Sequence, residues 1–120
     1  GDGVTMLLPP IALLWCVHAS RLERVPLEWQ AMRGLLKRET GTYNVTFRHA
    51  TLRNPRSTAY GVAQFLGKGP LGSLTGTWKS VGIRKTNDPI MQIRAMYRYV
   101  NRRYGSAAKA LAFHKRRRFY

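Results

Sequence analysis

The chain has 120 residues, 44% of them apolar, and carries 21 Lys and Arg against five Asp and Glu, a formal charge of +16. That length holds one domain with a modest core, and the apolar share excludes a disordered basic tail. The charge asks for a polyanionic partner, whether nucleic acid, an anionic membrane surface or an acidic cell-wall polymer, and is silent on chemistry.

The first apolar stretch, "MLLPPIALLWCV", has no basic leader and two prolines at its head. Its roughly ten apolar residues are too few to span a bilayer. A buried helix with Pro10 in its first turn is expected, with a signal-peptide core ending near "VHA" as the alternative. The chain starts at Gly1, as a processed product or a fragment of a longer protein does, and residues 1–9 are expected to fray. Cys16 has no cysteine partner and reads as a small buried apolar side chain.

Ile11, Leu14, Trp15, His18 and Leu22 recur at helical spacing before Pro26, which predicts a helix over 10–24. From Leu27 to about Glu39 the pattern repeats in Ala31, Met32, Leu35 and Leu36, and Gly41 terminates it. Residues 42–59 are polar and irregular, with the turn signal "RNPRS". "YGVAQFL" is a short apolar piece, 67–76 is a glycine-rich loop, and a short helix is expected around Thr77 to Val81.

"NDPIMQIRAMYRYVNRRYG" is the clearest element, with Asp88 as N-cap, Pro89 at the first helical position and Gly105 as C-cap. Its apolar stripe is Ile90, Ile93, Met96, Tyr97, Val100 and Tyr104, so Tyr97 and Tyr104 read as core and Tyr99 as a half-exposed flank. Ser106 caps a last helix through about His114, and residues 115–120 form a basic-aromatic tail. The expected fold is mostly α, a single helical domain over 1–120 without repeats. Histidines 18, 49 and 114 lack metal-site spacing, so neither a metal nor a cofactor is implied.

With so few acids, each can be asked what it does. Asp2 lies in the terminal segment and Asp88 caps a helix. Glu23 and Glu28 flank Pro26 and read as solvated helix ends. Glu39 remains. On a helix it falls within about 60° of Met32, Leu35 and Leu36, continuing the buried stripe at the helix's C-terminal end. Partial burial and the helix dipole raise a carboxyl pKa, and the flanking Lys37 and Arg38 oppose them. A carboxyl kept partly protonated near neutrality is suited to general acid work. The bland alternative is a surface glutamate at a helix end.

"RETG", then "NPRSTAYGVAQFL", then "DPIMQIRAMYRYVNRRYGSAAKALAFH" together resemble the lytic transglycosylase domains of goose-type lysozyme fold. That family runs a helix ending in Glu-Ser-Gly, a Gly-Leu-Met-Gln segment, a Gly-x-x-Tyr-Leu helix and an Ala-Tyr-Asn helix, in that order. The likeness extends from about residue 11 to the C-terminus. Its last forty residues look most like transglycosylase domains of phage tail and virion proteins.

The resemblance implies that Glu39 is the catalytic acid of a peptidoglycan lytic transglycosylase. It implies that Gly61, Val62, Ala63 and Gln64 line the sugar cleft, and that Ser57 and Tyr60, Tyr99, Phe113 and His114 contact substrate. Thr40 stands where the family has Ser, Ala63 where it has Met, Met96 where it has Gly, and "HKRR" replaces a small polar turn. The family works with a single glutamate, which protonates the glycosidic oxygen and then helps the sugar's own 6-hydroxyl close a 1,6-anhydro ring. The implied partners are glycan strands and other virion or secretion-machine proteins, with no membrane span. The implied setting is a phage virion acting at the host cell wall, with a periplasmic or extracellular conjugation or type IV secretion apparatus as alternative. A basic nucleic-acid-binding protein and a structural virion protein without activity are the competing functions. Against the former, no recognition-helix or RNA-binding signature accompanies the scattered basic residues.

Overall fold

The computed structural model describes residues 8–117. Most of the segment expected to fray, and residues 118–120 of the expected tail, lie outside that range. Among the described residues there are five α-helices: α1 (Ile11–Glu23), α2 (Trp29–Thr40), α3 (Gly76–Ser80), α4 (Pro89–Tyr104) and α5 (Ala107–Arg117), with a 3-10 turn at Phe47–Thr51. Among the described residues no named strand occurs, only single antiparallel bridges from Tyr60 to Arg53 and to Phe65. This is a mostly helical single small domain. No helix among the described residues is long and apolar enough to cross a membrane.

α4 is the spine. Asp88 accepts from the backbone N–H groups of Ile90 and Met91, answering the unpaired donors of the first turn, and Pro89 begins the helix. α4 buries Ile93, Ala95, Met96, Tyr97 and Val100 against α1 and α5. Tyr97 is fully buried, as expected for a core residue, and its hydroxyl donates to the Leu27 carbonyl at 2.6 Å.

α1 keeps only part of the expected stripe, Trp15 in the core and Ile11 packed against it. Ala12, Trp15, Cys16, Ala19 and Ser20 are buried, whereas Leu14, His18 and Leu22 are exposed. The small side chains win this face because they let the backbone approach α4 closely, which larger leucines would prevent. Burial in this contact pushes the Cys16 thiol up to about 12, despite the Tyr97 hydroxyl beside it, so it stays an inert thiol. Pro10 is the N-cap rather than a first-turn residue, and its carbonyl accepts from Leu13 and Leu14.

α2 starts at Trp29, two residues later than expected, because Glu28 has a left-handed backbone (φ 45°) that a right-handed helix cannot include. Ala31, Met32, Leu35 and Leu36 are its buried stripe, as the spacing predicts. On the flank facing α5, a Cβ on Gly34 would sit 2.9 Å from Leu111 Cδ2, the tip of a side chain that must shift to admit it. α5 runs at least to Arg117, so Lys115, Arg116 and Arg117 form a last helical turn and not a tail. Three basic residues at the negative end of a helix dipole favour that extension.

Neither Glu23 nor Glu28 is a solvated helix end. The Glu23 side chain is only 10% exposed and takes bonds from Arg94 Nε and Arg98 Nε, each at 2.7 Å. Burial raises the Glu23 pKa, but the hydrogen bonds from Arg98 and Arg94 outweigh it and hold the carboxyl below its ordinary range. Glu28, at the start of α2, accepts the N–H of Ala107 at 3.0 Å and so caps the first turn of α5. Charge scarcity made both look free. The arginines of α4 and the start of α5 claim them.

Candidate functional site

The segment between the 3-10 turn and α3 forms the wall opposite α2. Gln92, fully buried on α4, holds it: Gln92 Oε1 accepts the Val62 N–H at 3.0 Å, and Nε2 donates to the carbonyls of Ala50 and Thr86, each at 2.7 Å. Gly61 has φ 85°, and a Cβ there would meet the Gln92 amide at 2.5 Å. Glycine is therefore required twice, by backbone conformation and by the approach of Gln92. Behind this wall, Phe65 packs edge-on against Trp78 at 5.3 Å and against Tyr99 at 5.6 Å.

Between this wall, the end of α2, α4 and α5 lies a groove of about 200 Å³. Leu35, Met96, Val100, Ala63 and Phe65 form its apolar lining, and Glu39, Gln64, Thr77, Tyr99, Tyr104 and His114 supply its polar groups. Glu39, Gln64, Tyr99 and His114 of the sequence-derived site thus come together. Ala63 and Met96, two of the positions that depart from the family pattern, line the same groove. Thr40 turns away, its hydroxyl donating to the Leu36 carbonyl at 2.8 Å.

Glu39 is exposed and not a member of the buried stripe. The stripe runs past the end of the packed core, and its last turn overhangs the groove. Protein crowds the carboxyl on that side, and this partial burial raises its pKa above the ordinary value, with Arg38 opposing. Lys37, expected to oppose it too, lies instead over the Tyr43 ring, 5.1 Å from its centroid. His114 is half-buried, and burial first, then the positive charges of Arg38, Arg103 and Arg117, lowers its pKa. At neutral pH the groove therefore holds one carboxyl with a raised pKa and one neutral imidazole.

Gln64 serves the wall as well as the groove: its Nε2 donates to the carbonyls of Leu52 and Gly61 at 3.0 and 2.8 Å, stabilising its own left-handed backbone (φ 51°). Ser57 and Tyr60 do not reach this groove. They line a separate hollow with Arg53, Lys68 and Lys85, where Tyr60 is buried under two cations, Arg53 at 5.5 Å and Lys85 at 5.4 Å. Phe113 faces another hollow on the far side of Tyr104, stacking on it at 5.1 Å. Adjacent on α5 and so about 100° apart, His114 lines the groove and Phe113 the neighbouring hollow.

Tyr104 was expected in the core but is half-buried and lines the groove, linking Tyr99 at 6.5 Å to His114 at 5.7 Å. Its position on the apolar stripe misled, since that stripe continues from core into groove along α4. Gln92 was also missed. The only signal for it is a polar residue set among the apolar positions of a strongly amphipathic helix. His49 is buried, and its Nδ1 accepts the Thr46 N–H at 2.9 Å, closing the 3-10 turn. Among the described residues no group of three His, Cys, Asp or Glu side chains is placed to hold a metal ion.

A scan of family profiles, a search of curated proteins and a search of solved structures each returned no match to this chain.

Proposed function

We propose that the protein is a peptidoglycan lytic transglycosylase that cleaves the β-1,4 bond between N-acetylmuramic acid and N-acetylglucosamine. The observation that carries this is the solitude of Glu39. Of the acids among the described residues, Glu23 is bound by two arginines, Glu28 and Asp88 cap helices, and Glu39 alone enters a groove.

A two-carboxylate glycosidase needs a second acid across the scissile bond, and the groove has none. A single carboxyl suffices when the substrate brings its own nucleophile. Glu39, its pKa raised, protonates the leaving glycosidic oxygen as the bond to the anomeric carbon breaks. The resulting carboxylate then takes the proton from the muramic acid 6-hydroxyl as that oxygen closes onto the anomeric carbon. The proton lost in the first step is recovered in the second, and no water is consumed. Tyr99 and Tyr104 line the same groove with amphipathic rings, a surface suited to the apolar faces and hydroxyl edges of sugars. The proposed setting is a phage virion opening the host wall locally, and the charge of +16 favours adsorption to an anionic wall.

Mass spectrometry of the muropeptides released from purified sacculi tests the reaction. The proposal requires 1,6-anhydro ends, one water lighter than the reducing ends a hydrolase leaves.

A further inference from the structure

On the other flank of α2 lies a second groove, of about 490 Å³, between α2 and α5. Arg33, Lys37, Arg38 and Lys115 line it together with Tyr43, and no acidic side chain does. None of these four cations has an ion-pair partner among the described residues, where every such pair goes to Glu23. Two of them are nevertheless held in place: the Arg33 guanidinium lies 3.9 Å from the Tyr43 ring centroid and the Lys37 ammonium 5.1 Å. Cations steadied on an aromatic ring without a counter-ion are ordered before their ligand arrives, which lowers the cost of binding an anion.

Resting on the transglycosylase reading, we infer that this groove binds the carboxylate-bearing peptide branches that project from the glycan strand. α2 carries Glu39 toward one groove and Lys37 and Arg38 toward the other. Arg38 lines this second groove, and its charge still acts on Glu39 and His114 of the first. A strand crossing Glu39 therefore carries its acidic side branch past the α2–α5 edge. Guanidinium groups suit such a branch, since they grip carboxylates in a two-bonded fork. A single-stranded nucleic acid suits it less. Tyr43 is the groove's aromatic, and it is engaged by Arg33 and Lys37, so it does not offer a free platform for a base.

The probe is a fluorescently labelled wall tetrapeptide with free carboxylates, without glycan, titrated onto the whole protein. Binding should weaken about tenfold or more in Arg33→Ala/Lys37→Ala and in Lys115→Glu, and fall with added salt. Lys79→Gln, an exposed cation on α3, should bind as the parent does. Equal binding by parent and double variant, or undiminished binding of the same peptide with its carboxylates amidated, overturns the inference. An oligonucleotide of matched charge that binds more tightly, and is lost in the same variants, also overturns it and marks the groove as a nucleic-acid site. Digestion of sacculi by the parent is run beside the titration. Failure there refutes the reaction and not the peptide site, and the converse holds for the titration.

Discussion

The side-chain oxygen of Gln92 accepts the backbone N–H of Val62 at 3.0 Å, joining positions thirty residues apart and setting the wall that faces Glu39. Its amide nitrogen is committed to Ala50 and Thr86, so both of its donors are satisfied. Gln92→Leu keeps the volume but leaves a buried N–H and two carbonyls without that partner. It should cost about 3 kcal/mol in urea unfolding. It should also lower wall digestion, because the 61–66 segment loses its anchor. A loss below about 0.5 kcal/mol would mean that the wall is held by something else.

Gly61→Ala tests the same joint from the other side. The new Cβ meets an amide that cannot shift without breaking its bonds, at a backbone conformation that disfavours any side chain. A loss of about 1–3 kcal/mol is expected. Wild-type stability in Gly61→Ala would refute the account of this turn.

Glu23 gives a pH-dependent prediction. Its folded pKa lies below the unfolded one, so its contribution is present above the unfolded value and lost as pH falls through the folded value. Glu23→Gln should cost about 2 kcal/mol at pH 7, less than a fully buried pair because Arg94 and Arg98 keep 23% and 30% exposure. The gap between parent and variant should close below about pH 4. Denaturant titrations at several pH values measure it, and a gap that persists unchanged in acid would contradict the ion-pair assignment.

Much of this fold is readable in the residues, and the unreadable parts have physical causes. Asp88, Pro89 and Gly105 mark α4 because capping is local chemistry. The buried face of α1 was misread because apolar size favours Leu14 and Leu22, whereas close helix approach selects Ala12, Cys16 and Ala19. Glu39 and Tyr99 could be paired through motif order, whereas the helix pattern marks Gln92 and Tyr104 only as stripe positions and not the partners they meet in the fold. Ser57, Tyr60 and Phe113 lie in neighbouring hollows, outside the groove that holds Glu39. They stand near the groove residues in sequence, and a turn of backbone or of helix directs each elsewhere.

The proposed acid must be protonated to act, so the rate should fall as pH rises through the raised pKa of Glu39. Arg38 opposes that raised value, so Arg38→Gln should move the alkaline limb of kcat/KM to higher pH. A limb that moved down in Arg38→Gln would contradict the electrostatic assignment.

The most direct measurement is the rate at which Glu39→Gln digests purified sacculi. The amide preserves shape and most hydrogen bonding but delivers no proton, so turnover should drop at least about 10²-fold. The fold should be intact and slightly more stable at neutral pH. A raised carboxyl pKa stabilises below the unfolded value and is lost as pH rises, and the neutral amide avoids that loss. Folded Glu39→Gln protein that digests walls as fast as the parent would place the acid elsewhere and contradict the central claim.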